Sequence, residues 1–207
     1  MDYPFDVISG ADYTRALANF GPVTDVLRRL IDAGIRSTAD ASTVAAALEH
    51  LNAAAALLEN DQSAALLLRH DDSGKPVTWG NPVIGLRNAI APPMEIVHDG
   101  DTCWSDFTLG PAYEGPPGWV HGGICALVLD HILGEVASSQ LTQARFTGTI
   151  SFKYLRGTHL GRVRAEAFVD RTEGVKTFAR GHLRDDDGIT VEAEGVFITP
   201  SWARGGE

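Results

Sequence analysis

The sequence predicts an α+β fold, in which one long helix packs on an antiparallel sheet and a helical segment precedes both. Three observations predict it. Alternating apolar and polar residues mark about six strands in the second half of the chain, and one apolar run of helical length stands between the second and third strands. The connections are short, which favours antiparallel neighbours. A chain of 207 residues, 44% of them hydrophobic, is long enough to bury a sizeable core.

Two amphipathic helices are predicted in the first third of the chain. Apolar residues recur at helical spacing over residues 23–33 and over the alanine-rich residues 40–59, where Ser42 or Thr43 is expected to be the N-cap. This part has few reactive side chains, so a packing or dimerisation role is favoured. A break is expected over about residues 69–93, where polar turn residues over 69–76 are followed by Asn81-Pro82 and Pro92-Pro93. We therefore expect a helical extension and linker over residues 1–75 and a main domain over residues 76–207.

The main domain is expected to contain strands over residues 94–98 and 102–109, joined by a turn at Asp99-Gly100. A helix follows over residues 124–138. Four strands then occupy residues 146–155, 162–171, 176–184 and 190–199, with a last turn at Asp187-Gly188. Short connections predict that these four strands form an antiparallel meander.

The predicted central helix carries a carboxylate in an apolar run. No polar side chain occurs from Ile124 to Leu129, and Asp130 follows directly. Burial of an ionised carboxylate is costly unless the group is paired, so such groups often serve function. The alternative is a structural aspartate that caps another backbone segment.

Two glycines open the same helix. Without side chains, Gly122 and Gly123 would let a ligand oxygen approach the unpaired N–H groups at a helix start, as in an oxyanion hole. A tight strand-to-helix turn would also use them. Gly123 and Asp130 are seven residues apart, which places them on nearly one face but roughly 10.5 Å apart along the axis. An antiparallel copy of the helix would bring Asp130 of one chain near Gly123 of the other, so the spacing favours a dimer with composite sites.

The net charge and the cysteine content narrow the possible functional classes and the compartment of this protein. The net charge of −10 disfavours a general nucleic-acid binder. Residues 136–165 nevertheless contain five cations and no acid, which suits the phosphates of a nucleotide or, alternatively, a solvated strand face. Cys103 and Cys125 are expected to be free thiols in a reducing compartment. The acidic first residues and the lack of a long apolar run lead us to expect a cytoplasmic protein with no membrane span.

One motif resembles a known family. The stretch GPPGWVHGG at residues 115–123, with Asp130 nine positions after His121, resembles the PaaI-like hotdog-fold acyl-CoA thioesterases, most closely the branch of thioesterase superfamily member 4. The resemblance covers roughly residues 92–200. It implies a long helix wrapped by an antiparallel sheet and two chains that pair to form the active sites. A homodimer or a dimer of dimers is therefore expected.

The resemblance also implies roles for individual residues. Asp130 would be the catalytic carboxylate, as general base or nucleophile, and the Gly123 amide, helped by Gly122, would polarise the thioester carbonyl. Thr147, rather than Thr149, would position water. The CoA arm would run along the end of one strand and the start of a later one, at positions that include Lys153, Arg156, Lys176 and Thr177.

The chain departs from the family at two places. Many relatives have Asn or Gln shortly before the His-Gly-Gly motif, where this chain has Glu114, Pro116 and Pro117. His131 follows the acid, at a position where glutamate or alanine is common in relatives. On a helix, the His131 side chain should point about 100° away from that of Asp130. His121 is interpreted as ordering the turn rather than carrying a proton, and together with Gly122 it is expected to contribute to the substrate-binding site.

The predicted function is hydrolysis of acyl-CoA thioesters, in fatty acid metabolism, with no cofactor and no metal. No Gly-x-Ser-x-Gly motif occurs, which disfavours serine-hydrolase chemistry. Cys125 lies in apolar company, where thiols are usually inert. Two alternatives stay open: an enoyl-CoA hydratase, and a domain that binds acyl-CoA without turnover.

Overall fold

A computed structural model describes residues 6–62, 69–71 and 76–204. Three helices and nine strands make up the chain there. The helices are α1 (Gly10–Arg36), α2 (Ala41–Glu59) and α3 (Gly122–Ala137). The strands are β1 (Asp6–Ile8), β2 (Arg69–Asp71), β3 (Pro76–Val77), β4 (Val97–Asp99), β5 (Thr102–Leu109), β6 (Phe146–Tyr154), β7 (Gly161–Glu173), β8 (Lys176–Asp185) and β9 (Gly188–Ile198).

The main sheet has six antiparallel strands in the order β4-β5-β7-β8-β9-β6. Strands β7 to β9 form the predicted meander. The prediction that β6 belongs to this meander, next to β7, is wrong, because β6 pairs with β9. Sequence neighbours pair in only about two thirds of cases. Strand β6 therefore lies at one edge of the sheet, with β4 at the other.

Helix α3 packs across this sheet as predicted. Its sheet-facing side chains include Leu129, Ile132 and Leu133, which are fully buried. They contact a core that includes Ala165 and Phe197 of the strands. Burial of one such side chain contributes about 1.5–3 kcal/mol, so this packing fixes the position of the helix against the sheet.

The N-terminal helices differ from the prediction at their starts. Helix α1 begins at Gly10, 13 residues before the expected start at position 23. Ser9 is its N-cap and accepts a hydrogen bond from the Asp12 amide. Pro22 lies inside the helix. Asp40, rather than Ser42 or Thr43, caps α2 by accepting from the Thr43 amide. An aspartate at this position offers the same acceptor with a negative charge that suits the helix dipole.

Every residue of α2 is exposed. This helix is long and apolar enough, by length and composition alone, to cross a membrane, and no other helix in the described ranges is. Its length of 19 residues includes Glu49, His50 and Glu59, which would be costly in a bilayer. The absence of a membrane span stays a prediction.

A small sheet of order β1-β2-β3 joins both sides of the expected boundary at residues 75 and 76. The turn predicted over 69–76 is wrong in its first part, because residues 69–71 pair with β1 in parallel. Residues 72–75 lie outside the described part. The strand predicted over 94–98 begins only at Val97, and the two-residue loop of its hairpin is Gly100-Asp101, one position later than expected.

Candidate active site

The start of α3 is held by a histidine cap. His121 is the N-cap residue, and its Nδ1 accepts a hydrogen bond of 3.0 Å from the Gly123 amide. Its own backbone amide donates to the carbonyl of Tyr113 at 2.9 Å. His121 therefore orders the turn. Because Nδ1 is the acceptor, the ring proton of the neutral imidazole lies on Nε2.

Gly122 and Gly123 differ in what their amides do. The Gly123 amide is engaged by His121, whereas the Gly122 amide has no hydrogen-bond partner in the described part of the chain. The Gly122 carbonyl accepts a hydrogen bond of 2.8 Å from the Tyr154 hydroxyl of β6. A side chain at position 122 would touch the Tyr154 ring, with 3.4 Å between Cβ and the nearest ring atom. The tyrosine thus fixes the glycine pair against the edge strand.

The carboxylate and the threonine singled out in the sequence meet in space. The Thr147 hydroxyl donates a hydrogen bond of 2.9 Å to Oδ1 of Asp130. Asp130 is half-buried and Thr147 is exposed, so the carboxylate faces open space beside β6. The expected burial of Asp130 is therefore wrong within one chain, because β6 is an edge strand and nothing in the described residues covers that side of α3. Thr149 makes no hydrogen bond to Asp130.

The cation block is largely neutralised by acids from elsewhere in the fold. Arg156 forms an ion pair with Asp185, whose carboxyl pKa is lowered to about 2 chiefly by the hydrogen bond from that arginine. Three more pairs join Arg162 to Asp186 at 3.0 Å, Arg164 to Asp106 at 2.8 Å and Lys153 to Glu192 at 3.7 Å. The charge argument from residues 136–165 is therefore weakened, because acids of neighbouring strands lie opposite these cations.

The residues expected along the CoA arm fall into two groups at opposite ends of the sheet. Lys153 of β6 pairs with Glu192 of β9. Lys176 of β8 pairs with Ile198 of β9, and Ile198 pairs on its other side with Phe146 of β6. Six residues of β9, from Glu192 to Ile198, separate the two positions, roughly 20 Å. Thr177 is buried, and its hydroxyl accepts from Arg145 at 3.3 Å. One chain alone does not bring the two groups together.

His131 faces away from Asp130, as predicted, and lies 3.8 Å from the Glu135 carboxylate between Nε2 and Oε2. Burial lowers the pKa of His131 to about 4. Cys125 is buried, and burial raises the pKa of its thiol, which makes it a poor nucleophile. No group of three possible metal ligands occurs among the described residues.

Sequence reasoning missed Tyr154 and Asp185. Both act across more than 25 positions of the chain: Tyr154 on Gly122, and Asp185 on Arg156. Asp185 also accepts from the His159 amide at 3.2 Å and so holds the loop between β6 and β7. No local pattern signals either contact, because both depend on strand register.

Comparison with known proteins agrees with this fold. The family model described as the thioesterase superfamily matches residues 117–192. A solved structure, that of the thioesterase superfamily protein RHA08564, is 34% identical and has a TM-score of 0.77, covering 86% of this chain and 94% of that one. The chain therefore belongs to the thioesterase superfamily, and its main domain has the hotdog fold.

A curated relative points to one branch of this superfamily. The acyl-coenzyme A thioesterase THEM4 from Xenopus laevis is 35% identical over 95 residues, which are 44% of this chain and 42% of the relative. The resemblance inferred from the motif at residues 115–123 is thus confirmed. The chain matches less than half the length of this relative.

Proposed function

We propose that this protein hydrolyses acyl-CoA thioesters to a free acid and CoA. The observation that carries the proposal is the hydrogen bond of 2.9 Å from Thr147 to Asp130 on the open side of α3. A hydroxyl that donates to a carboxylate fixes its orientation and leaves the second oxygen, Oδ2, to accept a proton from water. Family membership and the similarity to THEM4 support thioester chemistry at this site.

The reaction follows from these groups. Asp130 accepts a proton from water, and the water oxygen attacks the thioester carbonyl carbon. Negative charge develops on the carbonyl oxygen, where helix-start amides stabilise it. The C–S bond then breaks, and the CoA sulfur receives the proton from Asp130. Direct attack by Asp130 is the alternative: it would expel CoA thiolate and form a mixed anhydride, which water then hydrolyses. After a single turnover in ¹⁸O-water, ¹⁸O in Asp130 would indicate this route, because hydrolysis at the aspartyl carbonyl labels the carboxylate and water attack on the thioester does not.

The oxyanion site involves an exchange of partners. The Gly122 amide is open to a ligand oxygen, and the Gly123 amide becomes so when the His121 ring moves aside. A substrate oxygen at Gly123 replaces the hydrogen bond from the amide to Nδ1 with one to a developing negative charge. Such charge-assisted bonds are roughly twice as strong as neutral ones, which favours the exchange in the transition state.

Assembly completes the site in this proposal. Strand β6 is an edge strand with exposed Phe146 and Tyr154, and an uncovered edge favours pairing with another strand. Antiparallel pairing of two β6 strands would bring Lys153 and Arg156 of one chain beside Lys176 of the other. It would also bring Asp130 toward the partner helix start. We therefore propose a homodimer, alone or as a dimer of dimers, with two composite sites.

The test is thiol release from short, medium, long and aromatic acyl-CoAs. We expect turnover by the wild type and a loss of at least 100-fold in kcat for Asp130→Asn, since general-base catalysis contributes about 10²–10⁴-fold. Asp101→Asn is the matched control, because Asp101 is exposed in the β4–β5 turn. Wild type that binds acyl-CoA without releasing thiol would instead support a binding protein, and turnover of enoyl-CoA would support a hydratase.

A further inference from the structure

Strand β6 carries a tyrosine that contacts the start of α3. Ile150, Phe152 and Tyr154 alternate along this strand, so their side chains share the face that packs toward the core. Ile150 and Phe152 contact the core, whereas Tyr154, at the end of the strand, reaches the first turn of α3. Its hydroxyl donates a hydrogen bond of 2.8 Å to the Gly122 carbonyl. The edge strand therefore contacts the helix start through a polar group.

The carbonyl that Tyr154 contacts belongs to the peptide bond that also contains the Gly123 amide. The oxygen of a peptide bond comes from one residue and the N–H from the next, and resonance couples the two groups. This N–H donates to Nδ1 of His121 at 3.0 Å. Two hydrogen bonds therefore run from the tyrosine hydroxyl through one peptide plane to the histidine. Hydrogen bonds in such chains strengthen one another by about 10–30% per bond.

The tyrosine has the protonation state and the position that this contact needs. The pKa of Tyr154 is raised, chiefly by burial, so the hydroxyl keeps the proton that it donates at neutral pH. The ring lies beside the glycine, since a Cβ at position 122 would stand 3.4 Å from the nearest ring carbon. The C=O and N–H groups point in opposite directions in a trans peptide. A Gly122 carbonyl held by the tyrosine therefore directs the Gly123 N–H away from it.

We propose that Tyr154 is a positioning residue for thioester hydrolysis, which orients and polarises the peptide between Gly122 and Gly123. This role depends on the proposed function, in which the Gly123 amide stabilises the charge on the substrate oxygen. A more polar N–H binds both the histidine nitrogen and the substrate oxygen more strongly. The charged oxygen of the transition state gains more than the neutral nitrogen, because hydrogen bonds to ionised acceptors are roughly twice as strong. The tyrosine therefore acts mainly on the transition state.

The polarised peptide can be observed without any substrate. The chain contains two Gly-Gly pairs, at residues 122–123 and 205–206. The full-length protein is labelled with glycine that carries ¹³C at the carbonyl and ¹⁵N at the amide. A spectrum that correlates each amide with the preceding carbonyl then reports on these two pairs, and Gly206→Ala, which removes the second pair, assigns them. We expect Tyr154→Phe to move both signals of the 122–123 pair to lower frequency, because the carbonyl loses its donor.

The catalytic effect is measured with acyl-CoA. Tyr154→Phe keeps the ring and removes the hydroxyl, and we expect kcat to fall about two- to tenfold with little change in KM, since neutral hydrogen bonds contribute modestly. Site-specific incorporation of 3-fluorotyrosine in place of Tyr154 provides a stronger donor of nearly the same size. It should give a rate at or above that of the wild type at neutral pH. A residue that only fastened β6 to α3 would not respond to donor strength.

Tyr113→Phe is the matched control. It removes a hydrogen bond of the same kind, 3.1 Å long, from the Tyr113 hydroxyl to the Ile90 carbonyl. The N–H of that peptide belongs to Ala91 and donates to a carbonyl of its own loop, and the backbone carbonyl of Tyr113 that holds His121 is kept. Both the Gly-Gly signals and kcat should therefore stay as in the wild type.

Failure of the proposed function and failure of the tyrosine's role give different results. A wild type that releases no thiol from any acyl-CoA would overturn the proposed function, and with it the role of Tyr154 in hydrolysis. If the wild type turns over, three results would overturn the role of Tyr154 alone. These are an unmoved 122–123 signal in Tyr154→Phe, an unchanged kcat in that variant, and a fluorotyrosine protein as slow as Tyr154→Phe.

Discussion

At the residue scale, the orientation of Asp130 depends on one hydroxyl group. Thr147 reaches the carboxylate from the start of β6, where a bulge between Thr147 and Thr149 shifts the register against β9. The bulge adds one residue to β6 without a partner on β9. It therefore places one of two nearby threonines on the carboxylate and not the other.

Thr147→Val removes this hydroxyl at nearly constant side-chain shape. Hydrogen bonds to charged groups contribute about 1.5–3 kcal/mol, so we expect kcat for acyl-CoA hydrolysis to fall roughly 10- to 100-fold with little change in KM. Thr147→Ser should restore most of the rate. Thr149→Val is the matched control, and a similar loss in that variant would contradict the assignment of Thr147.

A second residue-scale prediction concerns Asp185. Its pKa is lowered to about 2, chiefly by the hydrogen bond from Arg156, so its ionised form stabilises the fold above about pH 4 and this contribution is lost as pH falls through about 2. Because Arg156 is partly exposed, we expect a contribution of about 1–2 kcal/mol. Between pH 4 and 2 the wild type should lose that much more free energy of unfolding, measured with urea, than Asp185→Asn. Asp186→Asn, in a fully solvated pair, should follow the wild type.

At the element scale, α3 and α2 are helices of opposite kinds. Leu129 of α3 is fully buried, whereas Leu48 of α2 is 55% exposed. Helix α2 has an apolar stripe, as predicted, but no buried residue. An apolar stripe in the sequence therefore indicates a helix without indicating what the helix packs against.

Leucine-to-alanine variants at these two positions measure how much each leucine contributes to the free energy of unfolding. Leu129→Ala should lower the free energy of unfolding by about 2–5 kcal/mol, because it leaves a cavity in the core. Leu48→Ala should change it by less than about 0.5 kcal/mol, since surface substitutions usually do. Chemical denaturation at low protein concentration provides both values. A loss above 2 kcal/mol for Leu48→Ala would mean that α2 packs on a partner in solution.

At the scale of the whole molecule, the open edge of β6 determines whether the proposed site is complete. Phe146 is 59% exposed at the start of this strand. Phe146→Glu places a charge there, and charged edge residues oppose strand pairing. We expect this variant to shift from dimer to monomer in light scattering and to lose most hydrolysis. Phe168→Glu, at an exposed position of the central strand β7, is the control. An active Phe146→Glu monomer would refute the composite site.

The amino-acid sequence by itself indicated most helices and strands of the main domain and singled out Asp130 and the glycine pair, whereas Thr147 was chosen from the resemblance to the thioesterase family. Alternation and helical periodicity are local properties, so the strands after residue 100 and helix α3 could be predicted from them, together with the turn ordered by His121. Asp130 stood out because a carboxylate in an apolar run is costly. These inferences need only the physics of a few neighbouring residues.

Only the tertiary structure decided the place of β6 at the sheet edge, the half-exposure of Asp130 and the pairing of the cation block with acids. It also decided the contact of 3.1 Å between His98 of β4 and Glu135 of α3. Each depends on groups that are distant in sequence, and the register that joins them is set by packing of the whole sheet against α3. Local patterns therefore specify which groups are present, while long-range packing specifies which of them meet.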